Sequence, residues 1–477
     1  MVFSSLPFLY LFLPATLLLY YLAPGIKLKN GALLLASIAF YALGEPAYVI
    51  LLVAATFSAY VFAPRIAKNR ELAKGKVLLA ISVAINVSFL LVFKYVPLLA
   101  KTANDIFGAF LPVPKLQLPI GISFYTFQVL TYTIDVYRGK TEPQRSFAKL
   151  LLYISMFPQL IAGPIVRYAD VEKQIEDRTV SVPQISSGIL CFVCGLAKKA
   201  LIADHAGKIS SSLLGTGAMS TIGAWLGILL FAFQIYFDFS GYSDMAIGLG
   251  RMFGFEFMQN FNYPYISRSV TEFWRRWHMS LGTFFRDYVY IPLGGNRKRQ
   301  GLNIAVVWIL TGFWHGAEWN FVLWGAYFGA ILAVEKFLLP KFLLLKFLLP
   351  KIHLKVPSAA KWAVCFFTVN IGWVIFSNTD LLGIWHTLEA MFSYRAASFF
   401  EVSTAKQSVL FLAFCMLAST PLAKNLATRA LKCPALMSPV GSVASSLAVA
   451  VFSFAILGLC TISLAASSYS PFLYFRF

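Results

Sequence analysis

Runs of apolar residues separated by short polar loops make up most of the chain. They fall at Leu6–Leu22, Gly31–Leu43, Ala47–Ala63, Val77–Val96, Pro119–Tyr137, Ile185–Leu196, Ile222–Gly250, Ile304–Val334, Trp362–Phe376, Val409–Pro421 and Val443–Ala465. A helix needs about 20 apolar residues to cross the hydrocarbon core, and in lipid its backbone must satisfy its own hydrogen bonds. The pattern predicts an all-α fold, a polytopic transmembrane helical bundle of about 11 crossings. The Ile304–Val334 run is too long for one ideal span and is expected to break near Gly312 or Trp324. Leu6–Leu22 has no basic region before it and no small-residue cleavage site after it, so it reads as a retained crossing rather than a signal peptide.

Two stretches interrupt the pattern: Phe157–Pro164 and the polar-aromatic segment from Asn260 to Asn296. Both are rich in helix breakers. Irregular backbone at membrane depth is tolerated only where protein or a watery cavity surrounds it, which makes them candidate re-entrant segments; surface loops or interfacial helices are the alternative. Between Lys336 and Lys351 the chain reads KFLLPKFLLLKFLLPK, with lysines at intervals of five. Leucines dipping into the acyl boundary and lysines meeting headgroup phosphates suit an interfacial low-complexity linker. No long polar segment separates the apolar runs, so residues 1–477 are read as a single domain.

Composition agrees with a life in lipid. Hydrophobic residues make up 59% of the 477 and charged residues 13%, and mean hydropathy is +0.72, which excludes an ordinary soluble domain. Forty Lys and Arg against 20 Asp and Glu give +20, first of all a topology signal and no argument for nucleic acid. Counting crossings puts the basic loops at Lys27–Lys29, Arg65–Lys76 and Arg138–Lys149 on one side, the cytosol by the positive-inside rule. A basic cytosolic face also attracts an anionic, phosphate-bearing donor. The six cysteines are scattered, and Cys191 and Cys194 have no histidine beside them, so they read as packing residues. Neither a His-Glu-x-x-His run, nor a phosphate-binding loop, nor a His-x4-Asp pattern occurs, and no metal is expected.

Three clusters carry candidate chemistry. Trp274, Arg275, Arg276, Trp277 and His278 crowd cations, indoles and an imidazole together: a cation–π shelf with a base or hydrogen-bond donor, or else an interfacial aromatic belt. Trp314 and His315 place an ionisable group inside a strongly apolar run, where a neutral imidazole can act as general base or be satisfied by a backbone carbonyl. Asp238 and Asp244 lie in another apolar crossing and need partners; Arg275, Arg276 or Arg286 are the expected ones, in a structural network around the cavity.

The segments PIGISFYTFQ (Pro119–Gln128), FPQLIAGPI (Phe157–Ile165), DFSGYSDMAIG (Asp238–Gly248), FWRRWHMSLGTFFRDYVYIPLGGNR (Phe273–Arg297) and FWHGAEWN (Phe313–Asn320) together, and in this order, resemble the membrane-bound O-acyltransferase family. The likeness is to the branch that acetylates bacterial polysaccharides such as alginate, peptidoglycan or cellulose. It implies an acetyl group taken from a cytosolic donor, acetyl-CoA, and passed through a central tunnel of the bacterial inner membrane. It implies no bound cofactor, His315 as principal catalytic residue, and His278 as a second catalytic position on the donor side. The aromatic tail, Ser470 to Phe477, resembles tails in which a tyrosine relays the acyl group. Tyr474 is the corresponding candidate, with an extracytoplasmic serine-dependent transferase as partner. D-alanyl transfer to teichoic acid is the alternative within the family, and a proton-coupled transporter the alternative outside it.

Overall fold

The computed structural model describes residues 1–114, 116–161, 163–215, 219–338, 357–431, 439–466 and 472–473. Among them there are helices and turns and no strand. Eight helices are long and apolar enough to cross a membrane: Pro46–Lys68, Ala73–Phe107, Val182–Leu214, Thr221–Met252, Trp319–Leu338, Ser358–Ser377, Phe399–Ala418 and Val443–Ala466. The apolar runs near residues 6, 31 and 119 appear as shorter or more polar helices, Phe8–Leu22, Gly25–Ala42 and Ile122–Tyr137. The chain is thus a multi-pass, all-α membrane protein.

The described helices cluster into two compact units. The first comprises Met1–Leu196, Gly241–Gln259 and a last segment that opens at Thr461. Its core is aromatic: Phe3, Phe8, Phe40 and Phe157 are buried in mutual contact, and Tyr242 stacks on Phe3 at 4.8 Å. Phe157 begins a single helical turn, Phe157–Leu160, whose first N–H, that of Phe157, donates to Ser37 Oγ at 3.1 Å, while Gln159 and Leu160 donate to the Met156 carbonyl. Irregular backbone is therefore enclosed by protein, as a segment inside lipid requires. Arg178 ties the unit together, donating to Tyr20 Oη and the Phe253 carbonyl at 2.9 Å each and to Asn30 Oδ1 at 2.7 Å. Phe472 is buried edge-on against Tyr242 at 4.9 Å, whereas Tyr474 lies outside the described residues.

The second unit holds Ala197–Ser240 and Asn260–Cys460. Here Asp238 departs from expectation. Its partner is Lys199, whose Nζ lies 2.7 Å from Asp238 Oδ1 and 2.8 Å from Asp204 Oδ1, while Arg276 pairs with Glu272 and Arg286 with Asp287. Lys199 and Asp204 are five residues apart, a spacing that an α-helix sends to different faces; a π-helical turn at Lys198–Ala203 brings them together. Asp244 belongs to the first unit, where its backbone carbonyl accepts from Cys191 Sγ.

The long run after Ile304 breaks at Gly316, into Gln300–His315 and Trp319–Ala333, rather than at Gly312 or Trp324. Gly312 and Gly325 instead mark where the two helices touch. A Cβ on Gly325 would stand 2.3 Å from the Trp308 carbonyl oxygen, and one on Gly312 2.4 Å from that of Phe321. Small residues at a crossing let backbones approach where lipid supplies no hydrophobic drive. Gly325→Leu is expected to destabilise the unit by about 1–3 kcal/mol through overpacking. A fall in the unfolding temperature of detergent-solubilised protein checks this, and an unchanged temperature would show that the helices can part.

Beyond residue 338 the linker lysines Lys341, Lys346 and Lys351 fall outside the described residues; before them, Val334–Leu338 forms a π-helical turn.

Candidate functional site

The stretch from Asn260 to Asn296 folds as Pro264–Ile266, Val270–Arg276, Met279–Phe285 and a π-helical turn, Arg286–Tyr290. Seven residues of helix span only about 10 Å, so none of these crosses a membrane. Ser269 starts Val270–Arg276: its Oγ accepts from Glu272 N–H at 3.0 Å, while the Glu272 carboxylate accepts from Arg268 N–H at 2.9 Å. Glu335 completes the cap from the far end of the Trp319–Leu338 span, accepting from Val270 N–H at 2.8 Å, Thr271 N–H at 2.9 Å and Thr271 Oγ1 at 2.7 Å. Carboxylates at a helix N-terminus satisfy orphan donors and complement the dipole.

His278 joins the two short helices with φ 45° and ψ 55°, a left-handed conformation that costs a non-glycine residue about 1–2 kcal/mol. Asn260 holds the turn. Its backbone carbonyl accepts from Met279 N–H at 2.9 Å, and its Oδ1 lies 3.1 Å from Ser280 N, 2.9 Å from Ser280 Oγ and 3.1 Å from His278 Nδ1. His278 is buried, and its Nε2 has no hydrogen-bond partner among the described residues. Burial pushes the imidazole pKa down to about 3, so the ring is neutral at physiological pH and offers a lone pair rather than a charge.

A cavity of 640 Å³ opens beside this turn, lined by Trp274, Arg275, Trp277, His278, Arg286 and Tyr290, and by Trp308 and Thr311 of Gln300–His315. Trp274 forms an aromatic wall with Trp308 at 4.8 Å and Phe328 at 4.9 Å. Arg275 and Arg286 add exposed guanidinium groups to the lining of this apolar chamber, Arg286 paired with Asp287. His315 ends Gln300–His315, buried between Trp324 at 4.8 Å and Phe376 at 5.4 Å. Trp314 lies between the two histidines, its ring 4.7 Å from that of His315 and 5.6 Å from that of His278.

The structure therefore brings together Trp274, Arg275, Trp277 and His278 around one chamber; Trp314 and His315 are not among its lining residues, Trp314 resting against His278 and His315 against Trp314. Arg276 turns to Glu272 at 2.9 Å, and Asp238 is engaged with Lys199. Residues not singled out in the sequence are Asn260, Glu335, Tyr290, Trp308 and Thr311. Trp308, Thr311 and His315 recur at i, i+3 and i+7, one face of a helix, and that periodicity was available. The reach of Glu335 back to residue 270 had no local signature.

The membrane-bound O-acyltransferase family model matches residues 142–377, which contain this site. The chain is 39% identical to a probable alginate O-acetylase of Azotobacter vinelandii, over the whole of both proteins. It is 33% identical to a peptidoglycan O-acetyltransferase of Helicobacter pylori, over 84% of this chain and 82% of that one. A teichoic acid D-alanyltransferase of Streptococcus thermophilus is 29% identical, over 56% of this chain and 70% of its own.

Proposed function

Because the chain belongs to the membrane-bound O-acyltransferase family, we propose that it takes acetyl from acetyl-CoA at the cytosolic face of a bacterial inner membrane and delivers it for O-acetylation of an extracytoplasmic polysaccharide. The observation that supports this best is the pair of buried histidines flanking Trp314 beside a chamber rimmed by exposed Arg275. The arginines attract the phosphates of the donor, while the aromatic walls exclude water from the thioester. The acetylating relatives match the full chain or most of it, whereas the D-alanyl relative matches little more than half, which favours acetyl. Membership of an acyltransferase family leaves nothing for a proton-coupled carrier to explain.

In this reading the Tyr474 phenol attacks the thioester carbonyl as His315 takes its proton. The C–S bond breaks, coenzyme A leaves as the thiol with that proton, and the acetyl stays as a tyrosyl ester. A serine-dependent partner then accepts it by transesterification, regenerating the phenol, and passes it to a polymer hydroxyl. The test uses purified full-length protein in lipid nanodiscs with acetyl-labelled acetyl-CoA. Thiol release with label on Tyr474 is expected, and Tyr474→Phe should lose the label and polymer acetylation while inserting normally. Acetylation retained by Tyr474→Phe would leave that residue as an aromatic anchor only, and absence of thiol release by the wild type would remove acetyl-CoA as donor.

A further inference from the structure

We infer that Asn260 is a positioning residue that fixes the tautomer of His278, so that Nε2 presents its lone pair to the substrate. The inference rests on the reading of His278 as a site residue, and its logic begins at Ser280. A backbone N–H can only donate, so the side-chain atom of Asn260 lying 3.1 Å from Ser280 N must be the amide oxygen and not the amide nitrogen. That oxygen also lies 3.1 Å from His278 Nδ1. Two lone pairs facing each other at that distance would repel, so Nδ1 carries the ring proton and donates it. The Ser280 hydroxyl gives no escape: it lies closer to the same oxygen, 2.9 Å, than to Nδ1, 3.4 Å. With one proton on a neutral ring, Nε2 is left as an acceptor.

The surroundings agree. Nε2 is buried without a hydrogen-bond partner among the described residues, an expensive arrangement unless a ligand supplies the donor. His278 lines the 640 Å³ chamber. The rings against it, Phe239, Phe261 and Trp314, carry no titratable group, burial lowers its proton affinity, and Arg275, Arg286 and Tyr290 are the charged or titratable groups that share the chamber lining with it. Asn260 also accepts from Met279 N–H through its backbone carbonyl, so one residue holds both the left-handed turn and the ring that the turn carries. The donor that Nε2 awaits is an N–H, O–H or S–H of the bound substrate or leaving group.

The experiment compares wild type, Asn260→Leu, Asn260→Asp and His278→Ala in nanodiscs, each normalised to folded protein. Asn260→Leu keeps the bulk and loses the acceptor; a fall in kcat of about 10- to 100-fold with little change in KM is expected, as for other residues that orient a histidine. Asn260→Asp keeps the acceptor and adds charge, so it should retain turnover and raise the proton affinity of His278 by about 1–3 pH units, moving the acidic limb of the rate profile the same way. Deuterium exchange at the imidazole C2 position, read residue by residue by mass spectrometry, follows His278 titration without any turnover. An unmoved His278 titration in Asn260→Asp, or undiminished kcat in folded Asn260→Leu, overturns the assignment. If the exchange shift appears but His278→Ala turns over normally, Asn260 positions the ring as inferred and it is the catalytic reading of His278 that fails.

Discussion

His315→Ala is expected to abolish acetyl transfer while leaving a folded protein in the membrane. Removal of a general base costs about 10²–10⁴ in rate, and His315 is the histidine placed at the end of the helix whose Trp308 and Thr311 line the chamber. Alanine also opens a void between Trp324 and Phe376, so a second variant separates chemistry from packing. His315→Gln keeps much of the bulk and hydrogen-bonding capacity but cannot cycle a proton near neutral pH, and it should be as inactive as alanine. Near-normal acetylation by either variant, at matched membrane levels, would take His315 out of the reaction.

Lys199→Met is expected to have the largest effect on stability. The lysine stands between two carboxylates at 2.7 and 2.8 Å with almost no exposure, and its loss takes the cation away from buried Asp238 and from Asp204. Removing one partner of a buried ion pair costs about 3–5 kcal/mol, much of it the desolvation of the charge left behind. The variant should accumulate poorly and unfold at lower temperature. Adding Asp204→Asn and Asp238→Asn removes the two carboxylate charges and should recover a large part of the loss. Wild-type thermal stability in Lys199→Met would mean that the triad is not held together as charges.

The crossings were legible because lipid imposes one rule on every spanning helix: long apolar runs ended by charge or by helix breakers. The same rule exposed Asn260–Asn296 as irregular, and that stretch supplies much of the lining of the chamber. Partners were harder. Asp238 visibly required a cation, and the arginines near residue 276 were the conspicuous ones; Lys199 was hidden because only a π-helical turn aims it at Asp204 and Asp238. Gly312 looked like a breaker by residue type, yet it serves close packing against Phe321, and the break falls four residues later. Asn260 meets His278 across 18 residues through a single oxygen, and no spacing rule encodes that distance.

The π-helical turn at Lys198–Ala203 has a consequence for how this segment can change. Such a turn is an α-helix carrying one extra residue. Shortening the chain there by one would restore regular winding, and the side chains beyond it would keep nearly their present direction, because the wide turn is what absorbs the extra residue. With one residue fewer between them, Lys199 and Asp204 would stand four apart and still share a face, and Ala206 and Leu213 would stay turned toward their apolar cluster. This segment can therefore lose one residue within the turn and keep its phase, whereas a residue added or removed in the regular helix on either side turns the two halves by about 100° against each other.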